Sequence, residues 1–284
     1  GEGQAYVGGL GVGLVCLIFD QHVVGFLVTT LAILGSVFFG AIWGIIPGYL
    51  QAKRGSHIVI TTIMFNFIAA ALMVYLLVNV IIEPGQMSPE TRDFASGVGL
   101  VQIHILAKYL GLEMAMSPLN LSFIVALTVS VGFWFLVWRT KFGYEVRSLG
   151  HSETAAIYAG IKVSSTIIIV MAISGGLAGL VAINELLGVH NKLLLGFTAG
   201  YGFTGIAVAL MGRNHPVGIF LASLLFGALY QGGTELDFEF SSITREMVLL
   251  IQGLIILFSG ALAYMLNPLV ERIYIKYYGN YNNA

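Results

Sequence analysis

Runs of apolar residues long enough to cross a hydrocarbon layer recur from one end of this chain to the other, and no soluble core can absorb them. A helix spans a bilayer with about 20 such residues. Runs of this kind are read at Ala5–Phe19, Val23–Pro47, Ile58–Ile82, Leu119–Trp138, Ser164–Gly188, Phe197–Gly212, Pro216–Gly232 and Glu246–Leu266. Only 10% of the 284 residues are charged and 57% are hydrophobic, whereas a soluble domain carries roughly 25% charged residues. In hydrocarbon the backbone must satisfy its own hydrogen bonds, so the expected fold is all-α, a polytopic transmembrane helix bundle. Several runs are short, and short spans persist at membrane depth only where neighbouring helices bury their loose backbone groups. Residues 1–284 are therefore read as a single transmembrane domain of about eight spans.

The remaining composition excludes other classes. A net charge of −1 offers no basic face to nucleic acid. The single cysteine, Cys16, lies in an apolar run and is read as a small buried hydrophobe, not as part of a disulfide framework or zinc site. The six histidines lack metal-ligand spacing, and no Gly-rich loop ends in Gly-Lys-Ser/Thr, so no phosphate-binding loop for a nucleotide is read in this chain. The chain opens Gly1-Glu2-Gly3-Gln4 with no initiator Met. The first helix is already under way by Tyr6, so residues upstream of Gly1 are expected.

Charge asymmetry orients the bundle. With Lys53 and Arg54 placed in the cytoplasm, alternation puts Arg139, Lys141, Arg147, Lys162, Arg213, Arg272 and Lys276 there too. Arg92, Lys108, Lys192 and Arg245 fall outside, among most of the acids (Glu83, Glu90, Asp93, Glu113, Glu235, Asp237, Glu239). The positive-inside rule then runs the first helix outward and leaves the C-terminus in the cytoplasm. On the outer side, Leu100–Leu112, with Lys108 and Tyr109, reads as an amphipathic helix packed on the rim.

Glycine is patterned. Gly40, Gly44 and Gly48 line one helix face and Gly175 and Gly179 another, a spacing that lets backbones approach closely. Gly200, Gly202 and Gly205 are too dense for an ordinary helix interior, which points to a short or broken helix carrying Tyr201 and Phe203 beside a cavity. Ser36–Trp43 (SVFFGAIW) resembles Ser223–Tyr230 (SLLFGALY), and His22–Gly25 resembles His215–Gly218. The charge rule sends the two helices in opposite directions. That fits a five-plus-five inverted repeat of about ten spans, two of them upstream.

Polar groups at membrane depth are few. Asn66, flanked by Phe65 and Phe67, is suited either to hydrogen-bond and stack a passing polar solute, or to bond another helix. Asn184 and Glu185 sit near the outer end of the fifth span, where Glu185 is expected to pair or gate without a second buried carboxylate or His beside it. Between the fourth and fifth spans, residues 139–163 form a polar loop. Ser152 is a good N-cap, Glu153 suits a first turn and Gly160 a stop, giving a two-turn helix that exposes Ala155, Ala156, Tyr158 and Ala159. Such a helix fits a groove in a soluble partner.

Thr140–Ile161 (TKFGYEVRSLGHSETAAIYAGI) resembles the coupling-loop signature of ATP-binding cassette (ABC) importer permeases for simple sugars, nucleosides and branched-chain amino acids. Ile173–Leu180 (ISGGLAGL) and Gly200–Gly218 (GYGFTGIAVALMGRNHPVG) resemble the same family; Thr61–Ala69 (TTIMFNFIA) and Gly1–Gln4 resemble its sugar–nucleoside subgroup. One departure is visible, since Ile58 stands where that subgroup usually has Glu. The resemblance implies a non-enzymatic permease subunit importing a nucleoside or simple sugar across a cytoplasmic (inner) membrane. It also implies three partners: a cytoplasmic ATPase that binds the ATP, a second permease subunit (homologous or identical) and an external solute-binding protein. No cofactor is implied in this chain. From the residues alone, an ion-coupled secondary transporter is the alternative, and it needs more intramembrane carboxylates than Glu185.

Overall fold

The computed structural model describes residues 1–83, 85–109, 111, 116–239, 246–248, 250–255 and 257–258. Six of its helices are long and apolar enough to cross a membrane, and no strand forms among the described residues. The chain divides into two compact units, Gly1–Phe203 and Thr204–Ala284.

In the first unit, α1 (Glu2–Phe19) is enclosed by α2 (Gly25–Arg54), α3 (Ile58–Leu76) and α8 (Val163–Gly179). Between α3 and α8 come α4 (Ile103–Tyr109), α5 (Ser122–Arg139), α6 (Lys141–His151) and α7 (Glu153–Tyr158). Both α3 and α8 lead into π-helical turns, Leu77–Ile81 and Ile183–His190. The core joins Leu10, Val12 and Cys16 of α1 to Val28, Ala32, Met73, Ile183 and Leu186. Cys16 is thus the buried hydrophobe its surroundings in the sequence imply.

The two glycine rows meet. A Cβ on Gly40 would collide with the Gly175 carbonyl, one on Gly44 with the Met171 carbonyl and one on Gly179 with the Ser36 carbonyl. Removing side chains lets α2 and α8 pack backbone on backbone, which is how helices gain dispersion contact without a hydrophobic drive between them. By contrast, no residue of α5 is buried.

At the end where α1 turns into α2, residues 90–100 form a strap over the helix ends. Arg92 grips Asp20 with two N–H groups, at 2.7 and 2.8 Å, and the Ala95 amide adds a third bond at 3.0 Å. The Arg92 guanidinium holds the Asp20 carboxyl below the usual carboxylate range, and Asp20 raises Arg92 in turn. Thr91 and Leu193 exchange bonds, Thr91 N–H to the Leu193 carbonyl and Leu193 N–H to the Thr91 hydroxyl, and Leu100 N–H reaches the Leu187 carbonyl.

The second unit holds most of α9 (Tyr201–Met211), α10 (Pro216–Glu239) and the apolar helix Glu246–Ile255. Val208, Ala222 and Phe226 make its core. Ser223 of α10 donates to the carbonyl three residues back, as Ser36 does in α2, so the two similar segments share a local bond. Their surroundings differ, since a Cβ on Gly227 would meet nothing within 4 Å.

Element bounds depart from the expected ones in places. α2 runs through Pro47 to Arg54, because Pro47 is buried against neighbours and not at a solvated end. Its 30 residues measure about 45 Å at 1.5 Å per residue, so its last turns project beyond the hydrocarbon. The rim helix shrinks to Ile103–Tyr109. Leu112, the Tyr109 side chain, Glu113, Arg245, Arg272, Lys276 and positions 249, 256 and 259–266 of the eighth run lie outside the described residues.

Candidate functional site

The sixth run is not a continuous span. Residues 192–200 are non-helical and descend along α1, with Leu193 against Gly13, the Phe197 ring against Gly9, and Gly202 against Glu2. From Gly13 to Glu2 that path covers roughly 16 Å of helix rise. Leu193, Phe197 and Thr198 are buried, and Phe197 meets Tyr6 edge-on at 5.9 Å. Ala199 (φ 44°) and Gly200 (φ 80°) then turn the chain through two left-handed residues before α9 begins at Tyr201. Ala199 is strained there, as non-glycine residues in this region are. The glycine-dense segment is a short helix, as its composition implies.

An α9 start inside the bundle exposes amide N–H groups with no carbonyl of their own. Glu2 supplies the acceptors. Its Oε2 takes the Gly202 N–H at 2.6 Å and its Oε1 the Gly200 N–H at 3.3 Å, and the residue is 7% exposed. One residue on, the Gly3 N–H donates to Asn66 Oδ1 at 2.8 Å. Asn66 therefore makes an interhelical bond, tying α3 to the start of α1. Gln4 Oε1 and Thr198 Oγ1, each two residues from a member of this group, are buried without a hydrogen-bond partner.

The other expected pathway residues divide. Phe65 packs edge-on against Trp43 at 5.6 Å, whereas Phe67 and Phe203 are exposed and Tyr201 is half-buried. Asn184 and Glu185 belong to a different group on the π-helical turn. Asn184 Oδ1 accepts from Ser122 Oγ at 2.8 Å and Asn120 Nδ2 at 3.1 Å, and its amide donates to Glu185 Oε1 at 3.0 Å. His190 lies 3.9 Å from Glu185, so that carboxylate has a histidine beside it after all, brought back by the wide turn. Glu2 is the residue that sequence reasoning missed. Reading the first run from Ala5 left it outside the helix, though an acid opening an apolar span was a visible signal.

The loop 139–163 is built locally. Thr140 Oγ1 accepts the Gly143 N–H at 3.0 Å and caps α6, and Ser152 Oγ accepts the Ala155 N–H at 3.3 Å and caps α7. Gly160 (φ 78°) ends it, and Ile161 N–H returns to the Ala156 carbonyl. Glu153, Ala155, Ile157, Tyr158 and Ala159 are exposed, Tyr158 by 93%. Ala156 is not exposed as expected but fully buried, because so short a helix needs one small side seated on α6 and α8.

Residues 2–260 match the family model described as branched-chain amino acid transport system, permease component. The chain belongs to that family. It is 34% identical over 275 residues to a guanosine ABC transporter permease protein of Bacillus subtilis, covering 95% of this chain and 76% of the relative. A glucose ABC transporter permease protein of Haloferax volcanii is 30% identical over 263 residues (90% and 67% covered), and a nucleoside ABC transporter permease protein of Lactococcus lactis 30% over 258 residues (90% and 70%). No solved structure matches. The chain is therefore a multi-pass permease component of an ABC importer, a transport subunit and not an enzyme, working with an ATP-hydrolysing subunit and a solute-binding protein. The ion-coupled alternative has no support from these relatives.

Proposed function

We propose that this permease admits a nucleoside past the polar start of α9, in a cytoplasmic membrane whose inner side holds Lys53, Arg54, Arg139, Lys141, Arg147, Lys162 and the C-terminus. The observation that carries the reading is the broken span, whose helix start meets Glu2 one residue before the Gly3 amide that bonds Asn66, with the unpaired oxygens of Gln4 and Thr198 close by in sequence. Transporters hold polar solutes at helix ends that stop within the bundle. Buried oxygens without partners are spots where a hydroxyl-bearing solute or water satisfies them. A nucleoside brings hydroxyls for such groups and a base for Tyr201, Phe203 and Phe67 to stack on. The relatives named for guanosine and nucleosides, and the Thr61–Ala69 segment, favour a nucleoside over a simple sugar.

On this reading α7 docks in a groove of the ATPase, which binds the ATP, and this chain holds no cofactor. Support comes from the capped helix and its exposed Ala155, Tyr158 and Ala159. A second permease subunit, identical or homologous, completes the pathway, and an external binding protein delivers the solute. Glu185 and Asn184 keep a structural pairing role.

Reconstitution with the ATPase and binding protein tests this. ATP-dependent uptake of labelled guanosine, competed by other nucleosides and not by ribose or glucose, is the expected result. Uptake of sugar alone would overturn the nucleoside reading. Separately, Ala155→Glu with Ala159→Glu should abolish association with the ATPase, and undiminished association would remove α7 from the docking surface.

A further inference from the structure

A cavity of about 750 Å³ opens behind α7. One wall is the turn from α2 to α3, including Gln51, Ser56 and His57; another is Glu153, Ile157 and Ile161, spaced four residues apart along the α7 segment; Lys162 and Ser164 close the third. Ser164 Oγ donates to the Ala52 carbonyl at 3.3 Å and holds the first and third walls together. Ala156 is the one buried residue of α7, and Ile157 stands 57% exposed at the edge.

The charges around it ask for an acidic occupant. Lys162 lines the cavity, Lys53 and Arg54 stand exposed beside it, and Glu153 is the one acid among the lining residues. The volume suits a few side chains, and the apolar Ile58, Ile157, Ile161 and Ile167 suit their stems.

We propose that this cavity is a second docking socket for the ATP-hydrolysing subunit, receiving an acidic side chain whose carboxylate pairs with Lys162. The proposal rests on the α7 docking reading. It extends that surface to the end of α2, so a partner gripping both faces of α7 moves α2 and α8 together with it. Continuity with the α7 face, which the same subunit covers on that reading, singles out that partner.

Cysteine protection tests it in the full chain, where Cys16 is buried and silent. His57→Cys and Gln51→Cys report the socket, and Tyr158→Cys reports the outer face of α7. In membranes carrying the permease with and without its ATPase, maleimide labelling at all three positions should slow at least tenfold on assembly. Slowing at 158 with unchanged rates at 57 and 51 would overturn the socket and leave the docking reading standing; unchanged rates at all three would overturn both. Protection of 57 and 51 by bilayer alone, lost in detergent, would assign the socket to a lipid headgroup and overturn the proposal. Lys162→Glu should weaken association at least tenfold and Lys162→Arg should retain it; equal association for both would also overturn it.

Discussion

The Glu2 carboxylate accepts the backbone N–H of Gly202 at 2.6 Å, across 200 residues of sequence. It stands where the preceding turn of a continuous helix would supply a carbonyl, so one side chain makes a broken span tolerable at membrane depth. Glu2→Gln keeps the shape but has one acceptor oxygen, so one of the two amides goes unbonded. Hydrogen bonds to charged groups contribute about 1.5–3 kcal/mol, and 1.4 kcal/mol is about a factor of ten. Solute uptake in proteoliposomes should fall by roughly ten- to a hundredfold while binding to the ATPase is kept. Wild-type uptake by the Gln variant would take the cap out of the transport cycle.

Asn66 separates two roles by its variants. Asn66→Ala leaves the Gly3 N–H unsatisfied and should impair uptake at a cost of roughly 1–3 kcal/mol, with the complex still assembled. Asn66→Asp retains the acceptor. Recovery of uptake with Asp shows that the interhelical bond is what matters; failure of Asp in a complex of normal thermal stability shows that the amide N–H₂ meets the solute. Unchanged uptake in the Ala variant would remove Asn66 from both roles.

What the sequence disclosed and what it hid follow from the range of the forces involved. Ser152, Glu153 and Gly160 act within a turn or two, so the cap, first turn and stop of α7 were legible. So were the Gly40 and Gly175 rows, because four-residue spacing of small side chains has one main physical use. The burial of Ala156, the passage of α2 through Pro47 and the partner of Glu2 depend on which neighbour arrives, and no local pattern states that. His190 reached Glu185 through a π-helical turn, a register that counting by 3.6 residues does not anticipate.

The α2–α8 contact gives a paired prediction. A methyl group on Gly175 meets the Gly40 carbonyl, and overpacking of this kind costs about 1–3 kcal/mol. Gly227 sits in the similar segment of α10 with open space about its Cβ position, where Ala gains up to about 1 kcal/mol of helix propensity. Gly175→Ala should lower the thermal unfolding midpoint in detergent and Gly227→Ala should leave it equal or higher. A stable Gly175→Ala protein would mean that α2 and α8 are not in backbone contact.

The strap supplies the pH dependence. Asp20 has no exposed side-chain surface and Arg92 lies against it at 2.7 Å, which lowers the Asp20 carboxyl below its unfolded value. A depressed carboxyl contributes stability that is fully present above the unfolded pKa, about 3.9, and is lost as pH falls through the lower folded value. Asp20→Asn should therefore be less stable than wild type by roughly 1–3 kcal/mol at pH 7. The gap should hold down to about pH 5 and narrow only in stronger acid. Thermal unfolding at stepped pH reads it directly. A gap that closes already between about pH 7 and 6 would point to a histidine and not to this ion pair.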